Sequence, residues 1–127
     1  VQDRLYMLWT YGVETGKISK QKFVEVCCTM PAKICGVYPQ KGDIMVGSDA
    51  DIVVFDPNYK GVISIKDSLS GSDFCTYEGY EQKGRAEKVF LRGELMAENG
   101  KFVGEMGKGK QVMSKPYAYC YNEFKDS

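Results

Sequence analysis

The spacing of the apolar residues changes near residue 40, and this change divides the 127-residue chain into two kinds of structure. Before it, apolar side chains recur three and four residues apart, which is the spacing of one face of an α-helix. After it, short apolar runs are separated by glycine, asparagine and aspartate, which is typical of β-strands joined by turns. The sequence therefore predicts an α+β chain with helices in residues 1–40, strands in 41–103 and a tail in 104–127.

Three helices are predicted before residue 40. The first begins at Val1 and ends near Tyr11. The second has Ser19 as its N-cap and ends at Pro31, because proline has no N–H to continue the helical hydrogen bonds. The third runs from Pro31 to Cys35 and is followed by a glycine. The faces predicted to be buried are Leu5, Leu8, Trp9 and Gly12 in the first helix, and Phe23, Val24, Val26 and Cys27 in the second.

Short strands and tight turns are predicted between residues 41 and 103. The run Ile52–Phe55 is apolar at every position, so we expect it to be buried on both faces of a sheet. Arg92-Gly93 is predicted to join two strands of a hairpin, and Asn99-Gly100 is a strong signal for a two-residue turn. The predicted strands are Lys41–Gly47, Ile52–Phe55, Val62–Ile65, Lys88–Leu91, Glu94–Ala97 and Lys101–Val103.

Charge and hydropathy argue against two classes of partner. The 17 basic and 17 acidic side chains cancel and form no long run, so no field attracts nucleic acid or anionic lipid. No apolar run approaches the roughly 20 residues that span a bilayer. We therefore expect a cytoplasmic protein with no nucleic acid and no membrane partner. The chain opens at Val1 rather than at a methionine, so we expect it to be a piece of a longer protein.

The sequence contains no histidine, and this excludes most self-contained active sites. Without imidazole there is no histidine base, no Ser–His or Cys–His pair and no histidine ligand for a metal. The cysteines are odd in number and lack C-x-x-C spacing, which argues against a disulfide framework and a thiolate zinc site. We expect five reduced and mostly buried thiols: Cys27, Cys28, Cys35, Cys75 and Cys120.

Acidic residues in two loops are candidates for chemistry. Asp49 and Asp51 lie two residues apart and would suit a divalent cation, but no third acid follows at the spacing of a calcium loop. The favoured interpretation is a polar turn in which these carboxylates accept hydrogen bonds from backbone N–H groups. Glu78 is a possible general acid, but an exposed loop glutamate is the favoured interpretation.

Two further stretches have both a functional and a structural interpretation. Residues 104–110 contain Gly104, Gly107 and Lys108 and superficially resemble a phosphate-binding loop, but the complete pattern and the following helix are missing. A glycine-rich tail that is mobile or lies over a neighbouring domain or subunit is the favoured interpretation. The adjacent pair Cys27 and Cys28 is a possible redox switch, although packing on a helix is favoured.

Three stretches, in this order, resemble the C-terminal region of hydantoinases and dihydropyrimidinases. The second stretch is not diagnostic by itself, because the wider amidohydrolase superfamily shares it. The order of all three is specific to hydantoinases and dihydropyrimidinases. The stretches are Val1–Leu5 with Gly16–Ser19 and Thr29–Pro39, then Lys41–Val53, then Tyr77–Gly79 with Lys83-Gly84, Val89, Arg92-Gly93 and Asn99-Gly100.

The resemblance implies a (β/α)8 barrel that carries the active site and a β-sandwich built from both ends of the chain. Residues before about 40 would be the last helices of the barrel, and residues 41–103 the C-terminal share of the sandwich. The family hydrolyses a cyclic amide with two zinc ions held by histidines, a carboxylated lysine and an aspartate. All of these groups would lie upstream of Val1, so we expect no catalytic residue and no metal ligand in this chain.

The resemblance also suggests one substrate-binding position. The family has an asparagine in a Thr-Asn-Pro-Ala-Lys motif whose backbone is expected to face the substrate ring, and Met30 stands at the matching position. A residue that merely fills space beside a helix is the alternative interpretation of Met30.

For the intact protein, the resemblance implies a homo-oligomeric enzyme, dimer or tetramer, that opens dihydropyrimidine or hydantoin rings to N-carbamoyl amino acids. The alternative is a non-catalytic assembly protein of the same fold, similar to dihydropyrimidinase-related proteins. Allantoinase or dihydroorotase is a third interpretation within the enzyme class. The upstream histidines that would separate an enzyme from an assembly protein are not in this sequence.

Overall fold

The computed structural model describes residues 2–68 and 71–116. Its helices lie within residues 2–34, and a four-stranded antiparallel sheet begins at residue 52. Irregular segments connect the helices to the sheet and follow the sheet at the C-terminal end. The predicted order, helices first and strands second, is confirmed.

Both long helical segments begin as α-helix and then widen. Helix α1 (Gln2–Leu8) continues as a π-helical turn, Trp9–Val13. Helix α2 (Lys20–Val24) continues as a second π-helical turn, Glu25–Thr29, which runs directly into α3 (Met30–Ile34). In a π-helical turn each N–H donates to the carbonyl five residues back, so the helix is locally wider than an α-helix.

The predicted start of α2 and end of α3 are confirmed. The Ser19 hydroxyl accepts a hydrogen bond from the N–H of Lys22 at 3.0 Å, which satisfies one of the free donors of the first turn. Just past α3, Gly36 has a φ of 67°. This left-handed conformation is the usual end of a helix, and glycine adopts it without a Cβ clash.

The prediction that Pro31 ends the second helix is wrong, because the backbone stays helical from Thr29 through Ile34. Proline in an α-helix lacks one hydrogen bond, and its ring clashes with the carbonyl four residues back. The π-helical turn lies immediately before Pro31, and there the N–H of Met30 donates to the Glu25 carbonyl, five residues back. The wider turn therefore admits the proline without ending the helix.

The sheet is an antiparallel meander in which each strand pairs with the next along the chain. Its strands are β1 (Ile52–Val62), β2 (Glu81–Leu91), β3 (Glu94–Glu98) and β4 (Lys101–Phe102). The first two strands are longer than predicted. Strand β1 continues past Pro57 because an irregularity between Asp56 and Lys60 leaves the proline outside the regular pairing.

The two hairpin turns predicted from the sequence are confirmed. Arg92 (φ 48°) and Gly93 (φ 84°) join β2 to β3, and Asn99 (φ 50°) and Gly100 (φ 78°) join β3 to β4. Positive φ at both central positions defines the type I′ turn, whose twist matches that of the flanking strands.

The strand predicted at Lys41–Gly47 is wrong in this structure. These residues form a loop with a turn in which the N–H of Ser48 donates to the Met45 carbonyl at 3.1 Å. Ile44 and Val46 have relative exposures of 81% and 105%. A strand needs a neighbouring strand, and the described part of the chain places none beside these residues.

Two other strand predictions also need correction. The strand predicted at Val62–Ile65 is absent, since β1 ends at Val62 and a 3₁₀ turn begins at Ile65. Strand β1 is not buried on both faces, because Val53 is 50% and Val54 is 41% exposed. Both valines lie on the outer edge strand of the sheet, where no further strand or helix covers them among the described residues.

The core contains an aromatic cluster of Trp9, Phe23 and the half-buried Phe55, which joins the helices to the sheet. The Trp9 ring centroid lies 5.3 Å from that of Phe23 and 4.7 Å from that of Phe55, at interplanar angles of 79° and 53°. Such tilted pairs contribute about 0.5–1.5 kcal/mol each beyond their buried area. Trp9 and Phe23 were predicted to be buried and are, but Val24 and Val26, predicted to be buried with them, are 52% and 39% exposed.

Thr10 adds a polar link beside the aromatic cluster. Its hydroxyl accepts a hydrogen bond from the N–H of Lys83 at 2.9 Å and donates to the carbonyl of the same residue at 3.2 Å. The side chain therefore satisfies both backbone groups of one β2 residue, as a neighbouring strand would. This bond pair fixes the helical segment against the sheet at a defined position along β2.

We predict that Gly84→Ala destabilises the protein more than Gly100→Ala. Both glycines have positive φ, 73° and 78°, so alanine introduces comparable backbone strain of about 1 kcal/mol at each. A Cβ at Gly84 would also lie 2.5 Å from the Phe55 ring and 2.8 Å from the Trp9 ring, whereas one at Gly100 meets nothing within 4 Å. Overpacking of this kind costs about 1–3 kcal/mol more, which thermal unfolding of the two variants would measure. Equal melting temperatures would contradict the placement of Gly84 against the cluster.

Candidate functional site

One connected group of charged residues is the Lys41 cluster, which consists of Lys41, Asp49, Asp51 and Arg92. The Lys41 ammonium forms ion pairs with a carboxylate oxygen of Asp49, at 2.8 Å, and with one of Asp51. The other oxygen of Asp51 accepts a hydrogen bond from the backbone N–H of Arg92 at 2.9 Å. The cluster therefore joins the loop after α3 to the β2–β3 turn.

Backbone hydrogen bonds reinforce the same junction. The N–H of Gly93 donates to the Ala50 carbonyl at 2.9 Å, and the N–H of Asp49 donates to the Gln40 carbonyl at 2.9 Å. The amide of Gln40 also donates to the Asp49 carboxylate at 3.1 Å. The polar-turn interpretation is therefore met only in part: the Asp51 carboxylate accepts a backbone N–H, from the distant Arg92, whereas that of Asp49 accepts from the side chains of Lys41 and Gln40. Sequence reasoning did not identify Lys41 as the counter-ion.

The ion pairs stabilise the charged forms of the cluster. The hydrogen bond from Lys41, followed by that from Gln40, lowers the pKa of Asp49 below its usual value of 3.8. Partial burial opposes the charge on Lys41, but its hydrogen bonds to Asp49 and Asp51 raise its pKa above 10.5. The Lys41 ammonium thus lies between the two carboxylates and is the counter-ion of both.

The described residues do not fit the two-zinc centre that the family resemblance implies. In residues 2–68 and 71–116, no group of three or more Asp, Glu, Cys or His side chains is placed to hold a metal ion. The sequence supplies no imidazole at any position. We therefore derive no step of a reaction through zinc from these residues.

Glu78 has a structural role that the sequence did not reveal. One carboxylate oxygen accepts a hydrogen bond from the Ser64 hydroxyl at 3.0 Å, and the other accepts one from the N–H of Ile65 at 2.6 Å. These bonds cap the 3₁₀ turn that begins at Ile65. The side chain is therefore engaged with backbone and hydroxyl donors, and its position is that of a loop-fixing residue rather than a general acid.

The cysteines are less buried than predicted. Cys28 and Cys35 are exposed, Cys27 and Cys75 are half-buried, and all four are free thiols. Cys120 lies outside the described residues. Partial loss of hydration around the sulfur is the first cause that raises the pKa of Cys27 and also that of Cys28, whose residue as a whole is exposed; the nearby Arg4 lowers both. A raised pKa keeps both as thiols rather than the reactive thiolates that a redox switch requires.

The glycine-rich stretch that begins at Gly104 does not form a phosphate-binding loop. The Lys108 ammonium forms ion pairs with Glu94 and Glu105 at 3.4 Å and 3.2 Å, and its backbone carbonyl accepts a hydrogen bond from the Arg92 guanidinium. No helix follows in the described residues, which end at residue 116. The tyrosine-rich end of the predicted tail, residues 117–127, lies outside them.

Met30, the predicted substrate-binding residue, lies inside a continuous helix. It is the first residue of α3, and its backbone N–H donates to the Glu25 carbonyl. That donor is therefore used within the helix. Nothing in the structure tests a contact of Met30 with a substrate, so this assignment stays a prediction.

None of the helices in the described residues is long and apolar enough to cross a membrane.

The match to a known family covers most of the described chain. Residues 2–101 match the model of the amidohydrolase family, and the chain belongs to this family. The match extends from α1 to the β3–β4 turn and so includes the Lys41 cluster.

The chain is similar to hydantoinases in both sequence and structure. It is 44% identical over 117 residues to a D-hydantoinase of Ralstonia pickettii, an alignment that covers 92% of this chain and 25% of that protein. Its structure superposes on that of a D-hydantoinase (dihydropyrimidinase) from Thermus sp. with a TM-score of 0.82 at 46% identity, covering 85% of this chain and 24% of that one. An L-hydantoinase (dihydropyrimidinase) from Arthrobacter aurescens gives 0.79 at 36% identity, covering 84% and 24%. The chain thus spans about a quarter of the length of these relatives.

We predict that the Lys41 cluster contributes stability that is lost at low pH. Because the folded pKa of Asp49 is lowered, this contribution is present above pH 3.8 and is lost as the pH falls through the folded pKa. Removal of the ammonium in Lys41→Met removes the largest cause of the lowered pKa and leaves the smaller effects of Gln40 and Arg92. The difference in melting temperature between the native protein and Lys41→Met should therefore be constant from pH 5 to 7 and shrink below about pH 4.

Lys20→Met is the matched control, since Lys20 is exposed and forms no ion pair within the part of the chain that the structure describes. Its difference from the native protein should not depend on pH over this range. A Lys41→Met difference that stays the same down to pH 2.5 would contradict the ion pair.

Proposed function

We propose that this chain is the C-terminal part of a hydantoinase or dihydropyrimidinase, which hydrolyses a cyclic amide to an N-carbamoyl amino acid. The observation that supports it is the 44% identity to a D-hydantoinase over 92% of the chain. The structure superposes on a D-hydantoinase and on an L-hydantoinase, which supports this reaction class. It leaves open which enantiomer of the substrate is preferred. The preferred ring is open as well.

The proposed reaction cleaves one C–N bond of the ring. A water oxygen adds to the amide carbon and the C–N bond breaks. One proton of the water goes to the ring nitrogen, which becomes the –NH2 of the carbamoyl group, and the other is released as the carbon becomes a carboxylate. In the family this chemistry depends on a metal centre, which we propose to be two zinc ions bound by upstream residues. The residues of this chain would serve as scaffold and as part of the contacts between subunits of a cytoplasmic dimer or tetramer.

The exposed apolar segment supports a composite domain in the intact protein. Ile44 and Val46 are 81% and 105% exposed, and Val53 on the edge strand β1 is 50% exposed. An edge strand with uncovered valines and unpaired backbone groups is a site where another strand adds. We propose that upstream strands cover this surface and complete a β-sandwich, and that the helices before residue 40 close a (β/α)8 barrel.

The natural-length protein, meaning the longer protein of which this chain is proposed to be the C-terminal part, should contain about two zinc ions per chain when it is purified without chelators. It should open the rings of dihydrouracil and hydantoin. Metal analysis and a ring-opening assay on the same preparation measure both quantities. The 127-residue chain alone should be inactive in that assay. Absence of both zinc and turnover would instead favour the non-catalytic assembly protein.

In the same ring-opening assay, Met30→Asn should change the KM for the ring substrate if residue 30 lies at the substrate.

We predict that the double variant Ile44→Asp, Val46→Asp behaves differently in the isolated 127-residue chain and in the intact, longer protein. In the isolated chain these side chains are exposed, so the charges should reduce self-association without loss of helix or sheet signal. In the natural-length protein the same charges would be buried under the proposed upstream strands and should lower the melting temperature substantially. Sedimentation and thermal unfolding measure the two effects, and an unchanged melting temperature at natural length would contradict the composite sandwich.

A further inference from the structure

A cavity of about 360 Å³ lies between α1, the C-terminal end of β1 with the 3₁₀ turn that follows it, the N-terminal half of β2 and the β3–β4 turn. Its volume is near the lower end of ordinary small-ligand pockets, which are roughly 300–1,000 Å³. Tyrosine, lysine, arginine and aspartate side chains line it. Neither the Lys41 cluster nor Met30 takes part in its wall.

Arg85 provides the fixed cation of this wall. Its guanidinium carbon lies 4.3 Å from the centroid of the Tyr59 ring, and its Nη2 donates to Oδ1 of Asn99 at 3.0 Å. Its Nε is buried and has no acceptor in the described part of the chain. The partners that hold Arg85 are therefore both neutral, and most of its five N–H donors are not used.

Tyr6 provides a second donor in the same wall. Burial raises the pKa of its hydroxyl, while the nearby Arg85 lowers it, and the net shift is upward. The phenol is thus protonated at neutral pH and has a hydrogen to donate. A guanidinium and a phenol that share one cavity are donors that suit a carboxylate.

The other charged residues of the wall select the charge of the ligand. Lys66 and Lys101 line the cavity without an ion pair among the described residues, and Asp3 and Asp67 also line it. Together with Arg85, three cations and two carboxylates leave a net charge of one positive unit. A monoanion balances this net charge, whereas a dianion such as sulfate would leave an excess negative charge beside the two carboxylates.

We propose that this cavity binds a small monocarboxylate, whose oxygens accept hydrogen bonds from Arg85 and Tyr6. The planar guanidinium fork matches the two oxygens of a carboxylate, and the stacking on Tyr59 holds the fork in place before the ligand arrives. The body of the ligand would occupy the space between α1 and the sheet.

Calorimetric titration of the natural-length protein with sodium propionate, at pH 7 and constant ionic strength, tests this proposal. We expect saturable binding of propionate and weaker binding of sulfate, which is a dianion at this pH. Arg85→Gln should lower the propionate affinity about tenfold or more, since it removes a charge-assisted hydrogen bond. Tyr6→Phe should lower it by a smaller factor, because one neutral donor is lost.

Lys17→Gln is the control for loss of a positive charge, as this exposed lysine is not part of the cavity wall, and its propionate affinity should be unchanged. If Arg85→Gln does not fold, Arg85→Lys retains the charge without the planar fork and should also bind more weakly. The proposal is overturned if propionate does not bind saturably, as it would not if upstream chain fills the cavity. It is equally overturned if sulfate binds more tightly, or if the Arg85 and Tyr6 variants bind propionate as the native protein does.

Discussion

The packing of Trp9, Phe23 and Phe55 is the interaction on which the rest of the structure depends. The three rings come from α2, from the π-helical turn after α1 and from β1, so they are the place where helices and sheet share a core. Gly84 completes it, because the missing Cβ of β2 leaves room for two of the rings. The Lys41 cluster and the cavity lined by Arg85 lie at opposite ends of the sheet.

Features that depend on neighbouring residues were predictable from the sequence. Ser19 caps a helix because its hydroxyl reaches an N–H three residues along the chain, and Asn99-Gly100 turns because both residues tolerate positive φ. The change from helical to extended spacing near residue 40 was also a local signal. These features need no knowledge of what lies elsewhere in the fold.

Features that depend on a distant partner were not predictable. The segment Lys41–Gly47 has the composition of a strand, yet a strand forms only beside another, and the described chain supplies none there. Lys41 was not identified as the counter-ion of Asp51, nor Arg92 as its backbone donor, because these partners are ten and 41 residues away in sequence. Glu78 likewise finds its donors 13 and 14 residues away.

The π-helical turn before Pro31 has a consequence for how this chain is compared with its relatives. A π-helical turn holds about one residue more than an α-helical turn, and one residue corresponds to a rotation of about 100° around the helix. The residues of α3 are therefore rotated relative to those of α2, so that Ala32 faces the backbone of Gly42 and is buried. A relative with one residue fewer between Glu25 and Thr29 would present a different side of α3 to the loop, even with every other residue unchanged. The number of residues in this turn therefore decides which face of α3 packs on the loop. A one-residue deletion here would reorient every side chain of α3 rather than replace one of them.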